Sequence, residues 1–328
     1  MKLATLRDGS RDGVLVVVSK CLTKAIKVPE IAATLQRALE QWDDVSGKLN
    51  VVYQRLNDGA LDDAFTIESG QLEAPLPRAY QWLDGSAYLY HAELVRKARN
   101  ADIPPTMYEE PMIYQGASDS FLGARDDILV ADESWGIDLE AEIAVITGDV
   151  PMGATVEEAA THIKLIMLVN DVSLRNRMPS ELAKGFGFLT SKPSTAFSSV
   201  AVTPDELGDA WDGGKLSLPL ESQVNGTRIG TPNAGVDLNF DFPQLIAFAT
   251  TSRELRAGTI VGSGTVSNRD RAAGSSCLQE KRMIEKIESG EFVTPHLKFG
   301  DTVRIEMKDS GGDSIFGAIE QKVVKYVR

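Results

Sequence analysis

The run Ile137-Asp138-Leu139-Glu140-Ala141-Glu142-Ile143-Ala144-Val145-Ile146 constrains this chain more than any other stretch. It alternates acid with apolar residues at period two, which predicts a strand with Asp138, Glu140 and Glu142 on one face. Leu139, Ala141, Ile143 and Val145 fall on the other. Neighbouring carboxylates on a strand repel one another and resist burial unless water or a cation lies between them. A Glu-x-Glu pair alone reads more often as the wetted face of an edge strand. Two further features favour the cation. Residues 163–169 form a second apolar run that ends in Asn170-Asp171, and a buried strand that stops in an acid can deliver a ligand to a site. Upstream, Asp84 lies seven residues before His91, one of three histidines with His162 and His296. His162 and His296 read as structural.

Composition excludes several classes. At 328 residues and 43% apolar content the chain can build one large core and a small companion domain. A formal charge of −13 with no basic run argues against a nucleic-acid partner. An acidic chain that binds a carboxylate must supply its own local cations, and a metal with Arg99, Arg175 and Lys192 would do so. No apolar run reaches membrane length and residues 1–20 lack a signal-peptide pattern, so a soluble cytoplasmic protein is expected. Cys21 and Cys277 read as reduced thiols, Cys277 as a small buried hydrophobe. No Gly-x-Ser-x-Gly elbow is present, which argues against a serine triad.

Residues 1–78 read as a small domain and 79–328 as the catalytic one. Residues 1–6 and 13–18 predict strands around a Gly/Asp-rich turn, and Pro29 opens a helix over 30–42 that closes at 43–47. The proline-bearing 72–78 is the extended bridge between the two. Residues 91–101 predict a helix, and 102–106 break it in a loop placed to act as a lid. Thr155 with Glu158 forms a capping-box pattern. Asn225-Gly226 between two runs is a hairpin signal. Residues 242–250 predict a short helix, and 259–262 a strand that enters a glycine turn whose amides could meet a ligand. Residues 178–195 read as a loop; 299–307 and 322–328 read as late strands.

The order of these motifs resembles the fumarylacetoacetate hydrolase family. The landmarks are Asp84 with His91, residues 111–116 (Pro-Met-Ile-Tyr-Gln-Gly), Glu140-Ala141-Glu142, Asn170-Asp171-Val172-Ser173-Leu174-Arg175 and Lys192. They continue through Val224-Asn225-Gly226, Phe242-Pro243-Gln244 and residues 255–266, in the family's order over about 80–310. The resemblance implies a β-rich, mixed α/β fold: a β-roll catalytic domain behind a small β-containing N-terminal domain. It implies a homodimer and a divalent metal held by Asp84, Glu140, Glu142 and Asp171. An all-oxygen set suits magnesium or calcium, with manganese as a further option.

The same resemblance assigns roles. His91 becomes the base that takes a proton from water, and Lys192 and Arg175 the cations for developing charge and substrate carboxylate. Tyr114, Arg99, Thr265 and Met178 become substrate contacts. Glu280 is the candidate acid behind His91, since Glu93 is out of step by one residue. The implied reaction is hydrolysis of a C–C bond in a small diketo acid, fumarylacetoacetate or a near acylpyruvate. Decarboxylation, isomerisation or hydration of a 2-oxo acid at the same metal is the alternative, and a non-catalytic binding protein a remoter one. Where the eukaryotic hydrolase has glutamine, tyrosine and a second tyrosine, this chain has Met178, Leu182 and Ser86. Met178 and Leu182 therefore predict a less polar pocket.

Overall fold

The computed structural model describes residues 1–98 and 104–328. Its main sheet runs in the order Phe65–Thr66, Lys24–Lys27, Val14–Val18, Lys2–Leu6, Ala201–Val202, Ile163–Asn170, Ala141–Thr147, Ile260–Gly262, Trp82–Gly85 and Ile113–Gly116, with Ala196–Phe197 added to Ile163–Asn170. A second, five-stranded sheet has the order Thr227–Gly230, Leu220–Val224, Thr302–Met307, Ile319–Lys325, Ile128–Val130. Strands dominate, as the β-rich expectation requires.

The alternation around Glu142 organises the main sheet. Leu139, Ala141, Ile143 and Val145 enter one apolar cluster, whereas Ala144 and Ile146 enter a second one on the opposite face. The strand is nevertheless interrupted. Ile137–Asp138 pairs with Ser173–Leu174 in a separate ladder, and Ala141–Thr147 pairs with Ile163–Asn170, placing Glu142 opposite Val169. Asp138 is thereby split from Glu140 and Glu142 and given other partners.

The N-terminal residues continue the same sheet. Lys2 and Leu3 pair with Val202 and Ala201, and Leu3, Leu15 and Val17 share a cluster with Trp82, Leu165 and Ile260. The sheet thus runs without a break from residues 1–78 into the remainder. The first helix departs from expectation. It spans Leu35–Glu40 behind a Thr34 cap, and a second helix, Trp42–Asn57, covers the stretch expected to close it. Asp43 and Asp44 occupy the first turn of that second helix, where acids offset the positive end of the helix dipole. Val45, Leu49, Tyr53 and Leu56 form its buried stripe. The strand Lys24–Lys27 was not expected from sequence.

Local signals fared better. Thr155 and Glu158 form a reciprocal capping box on Val156–Thr161, and Asp241 with Gln244 does the same for Phe242–Ala249. Asn225 and Gly226 both have positive φ, 51° and 73°, the turn that matches strand twist. The loop expected over 178–195 holds one helical turn, Met178–Leu182, begun by Pro179.

Gly262 lies between Ala144 and Asp84 in the sheet, and an added Cβ would come within 2.4 Å of both Asp84 Oδ1 and the Trp82 ring. Gly262→Ala should therefore cost about 1–3 kcal/mol in urea unfolding through overpacking. It should also weaken divalent-cation binding, because the relief available is to push Asp84 aside. A variant with unchanged stability and cation affinity would refute this account of the glycine.

Candidate active site

Neighbouring strands carry the site in register. Asp171 follows the end of Ile163–Asn170, Glu142 lies on Ala141–Thr147, and Asp84 lies on Trp82–Gly85 opposite Tyr114. Oxygens of Asp84, Glu142 and Asp171 all come within 4.8 Å of one another, in a buried setting. Tyr114 donates its hydroxyl to Asp171 Oδ2 at 2.6 Å, Thr195 donates to Oδ1 at 2.8 Å, and Lys192 Nζ also donates to Oδ2. The Gly264 amide donates to Asp84 Oδ1 at 3.0 Å. The Gly264 amide of that turn thus serves the acid.

Glu142 is different. It is fully buried, and no donor among the described residues reaches either oxygen. A buried carboxylate without partners is costly in its charged form. Burial, followed by repulsion from Asp84 and Asp171, pushes it well above the usual carboxylate range. Burial and then Asp171 push Asp84 up to about 8. Three crowded carboxylates, one of which has no donor among the described residues, fit a hard divalent cation.

Glu140 has another environment. Burial pushes its carboxyl up, but Arg175 and Lys192 outweigh that and hold it below the usual range. Arg175 Nη2 donates to Oε1 at 2.7 Å, and Lys192 Nζ contacts Oε2. Burial disfavours the charge on Lys192, yet Asp171 and Glu140 more than compensate, so it stays protonated.

His91 lies in the helix Leu89–Ala98, and its Nδ1 is 3.0 Å from Glu280 Oε2. With Nδ1–H donated to that carboxylate, Nε2 is left to exchange a proton. Glu280 is 1% exposed and sits in the first turn of Leu278–Ser289, a helix that sequence reasoning did not anticipate. Cys277 caps that helix, its Sγ accepting the Glu280 N–H at 3.3 Å. Glu93 is turned to Arg269 and Tyr108.

Asp138 was overlooked. Fully buried, it accepts Arg175 Nε at 2.9 Å and the amides of Leu278 and Gln279 at 2.8 and 2.9 Å. One carboxylate therefore ties Arg175, and through it Glu140, to the helix that carries Glu280. The alternation puts it on the face of Glu140 and Glu142, and sequence reasoning gives it no role of its own.

A cavity of about 150 Å³ is lined by Asp84, Ser86, His91, Tyr114, Glu140, Glu142, Arg175, Met178, Phe188, Lys192 and Thr265, among others. Tyr114, Thr265, Arg175 and Met178 are thus brought together in one lining. Arg99 and the first two residues of the expected lid over 102–106 lie outside the described residues. Leu182 is 49% exposed and absent from the lining; Phe188, unmarked by any motif, takes the apolar role expected of it.

Comparison with known proteins places this geometry in a lineage. Residues 81–324 match the fumarylacetoacetate (FAA) hydrolase C-terminal family, and residues 1–78 match fumarylacetoacetase N-terminal domain 2. The chain belongs to the fumarylacetoacetate hydrolase family. It is 32% identical over 159 residues to a 2,4-didehydro-3-deoxy-L-rhamnonate hydrolase of Sphingomonas sp. strain SKA58, a match covering 48% of this chain and 53% of that protein. The oxaloacetate tautomerase YisK of Bacillus subtilis is 25% identical over 213 residues, 64% of this chain and 67% of the relative. Among solved structures, the maleylpyruvate hydrolase of Sphingobium sp. SYK-6 superposes with a TM-score of 0.66 at 17% identity, covering 99% and 100% of the two chains. That hydrolase is also known in complex with manganese(II) and pyruvate. The family thus spans hydrolases and tautomerases. No helix among the described residues is long and apolar enough to cross a membrane.

Two measurements test the site. Below its ordinary value of 3.8 the Asp84 carboxyl is protonated folded or unfolded; above it only the unfolded chain releases the proton. The metal-free protein should therefore lose stability as pH rises from about 4 to about 8, with Glu142 acting in the same direction. Manganese or magnesium should raise the melting temperature more at pH 8 than at pH 6, and an equal rise at both would contradict this. Asp138→Ala should cost about 3–5 kcal/mol in urea unfolding, since it removes one of the two carboxylate partners of buried Arg175 and leaves two helix-start amides without their acceptor. Asp138→Asn should cost clearly less, and equal losses would refute the linking role.

Proposed function

We propose that this chain is a divalent-metal-dependent hydrolase that cleaves the C–C bond of a 1,3-diketo acid, with short acylpyruvates ahead of the bulkier fumarylacetoacetate. The observation that carries the reading is the pair of Glu142 oxygens with no donor among the described residues, beside Asp84 and Asp171, in a cavity that His91 also lines with Glu280 behind it. Asp84, Glu142 and Asp171 would hold the cation. Glu140 is the fourth carboxylate of the set, its charge balanced by Arg175 and Lys192. When bound, the cation supplies positive charge that polarises the 2-oxo group and offsets charge released as the C–C bond breaks.

The protein's own groups do the rest. Glu280 fixes the His91 tautomer, so Nε2 takes a proton from water as the water oxygen bonds to the distal carbonyl carbon. The bond between that carbon and the methylene breaks, its electron pair goes to the methylene, and the proton on His91 returns there. The products are a carboxylic acid and a 2-oxo acid. Tyr114 and Thr195 keep Asp171 oriented, and Lys192 keeps positive charge at the reacting end. Thr265 is the contact assigned to the substrate's carboxylate, and Arg175, held by Asp138 and Glu140, braces the carboxylate cluster. The small cavity supports the short acylpyruvate over longer diacids.

A second reading, interconversion of the enol and keto forms of a 2-oxo acid, is favoured by the similarity to the tautomerase over 64% of the chain. It needs the same His91 proton transfer without water. The purified protein, with magnesium, manganese or chelator, should be given acetylpyruvate, fumarylacetoacetate and enol-oxaloacetate while diketone absorbance and products are followed. Metal-dependent release of two acids, reduced about a hundredfold or more in His91→Ala and in Glu142→Gln, is expected. Ketonisation of oxaloacetate with no acid release would transfer the assignment to the tautomerase.

A further inference from the structure

We propose that Phe188 is a specificity-determining residue that limits the substrate to short, uncharged acyl groups, and that Glu181 holds it in place. The proposal rests on the reading of the site as one for 2-oxo and 2,4-dioxo acids, and it names which of them fit.

Residues 182–190 form an exposed excursion between the turn Met178–Leu182 and Lys192, and every residue in it is exposed except Phe188. Phe186 is 99% exposed and Leu189 83%, so the segment does not bury its apolar residues indiscriminately. Phe188 alone turns into the cavity, edge-on to Tyr114 with ring centroids 5.4 Å apart and planes at 79°. Gly185 and Gly187 bracket Phe186 with φ of 73° and 97°, left-handed values that glycine adopts without strain. This alternation of outward and inward aromatic residues follows from those two turns.

An exposed glycine-bearing loop would not by itself hold a ring in a fixed place. Glu181 supplies the constraint. Its carboxylate accepts the amides of Leu189, Thr190 and Ser191 at 3.2, 2.7 and 3.2 Å and the hydroxyls of Thr190 and Ser191 at 2.8 and 2.5 Å. Five donors on one carboxylate hold it well below the usual range despite burial, at about 2, so the closure persists at ordinary pH. The closure pins the residues immediately after Phe188 and just before Lys192, so the wall and the cation are set together.

The chemistry of the wall selects the ligand. Phe188, Met178 and Ala92 give the cavity an apolar surface, and Met178 Sδ lies 3.8 Å from Arg175 Nη1. The cations in the described lining are committed elsewhere: Arg175 to Asp138 and Glu140, Lys192 to Glu140 and Asp171. The group beyond the dioxo unit therefore meets carbon, and in a cavity of about 150 Å³ it is small.

The test uses the manganese-loaded protein with acetyl-, butanoyl-, hexanoyl- and octanoylpyruvate for turnover. Pyruvate, 2-oxohexanoate and 2-oxooctanoate serve as uncleavable ligands in calorimetry. Wild type should favour the short acids. Phe188→Ala should raise the hexanoyl-to-acetyl ratio of kcat/KM by roughly tenfold or more, the scale of a few methylenes in an apolar pocket. Phe188→Leu should fall between, manganese affinity should stay unchanged, and Glu181→Gln should shift the ratio in the same direction. If the 2-oxo acids bind but nothing is cleaved, a Phe188→Ala shift in chain-length preference upholds the wall while the hydrolase reading fails. If cleavage occurs and Phe188→Ala leaves the ratio unchanged, the wall is wrong and the hydrolase stands. If no 2-oxo acid binds either protein, the substrate class and the proposal fall together.

Discussion

Like charges held together in a dry sheet end are the constraint on which the rest of this molecule depends. Asp84, Glu140, Glu142 and Asp171 are buried within one small region. A carboxylate in such a setting protonates, finds donors or finds a cation. The chain uses different answers for different members. Glu140 has two cationic side chains, Asp171 has Lys192 and two hydroxyls, and Asp84 has one backbone amide. Glu142 has no donor among the described residues, and that asymmetry marks where an external cation belongs. A structural ion-pair network would have satisfied Glu142 as it satisfies Glu140.

Asp138 extends the constraint across the chain. Because the strand is interrupted after residue 138, this carboxylate faces the N-terminus of Leu278–Ser289, where free amides and the helix dipole favour a negative charge. It also holds Arg175, which holds Glu140. The acid behind His91 comes from a helix almost two hundred residues away in sequence, and this short chain of contacts sets where that helix begins. Glu140 and the His91–Glu280 pair are thus positioned by one connected polar network.

What could be read from sequence follows the range of the forces involved. The alternation around Glu142, the Thr155 capping box and the Asn225-Gly226 hairpin are local, and the structure reproduces them. The helix Trp42–Asn57 was missed because Asp43 and Asp44 look like a terminator until the buried stripe from Val45 to Leu56 finds a sheet to cover. Asp138 shares the period of Glu140 and Glu142, and only strand pairing with Ser173 reveals its separate role. Phe188 carried no signal at all. Leu182 was preferred because it occupies a motif position, but a helical turn points it to solvent and the two glycines that follow bring the later ring inward.

Hydrolysis and tautomerisation, two of the chemistries named among the relatives, share a demand that the proposed site would meet before any water is considered. Both need a 2-oxo acid held with its carbonyl polarised and a base positioned to move one proton at the adjacent carbon. The His91–Glu280 pair and the carboxylate cluster would serve either. What separates the outcomes is whether a water molecule has room between His91 and the carbonyl once the substrate is seated. On the proposed reading that would be decided by the wall and by the length of the acyl group, since a short chain would leave volume for water and a longer one would displace it or meet Phe188. Reaction type and substrate length would then be coupled through packing, at a residue with no role in proton transfer.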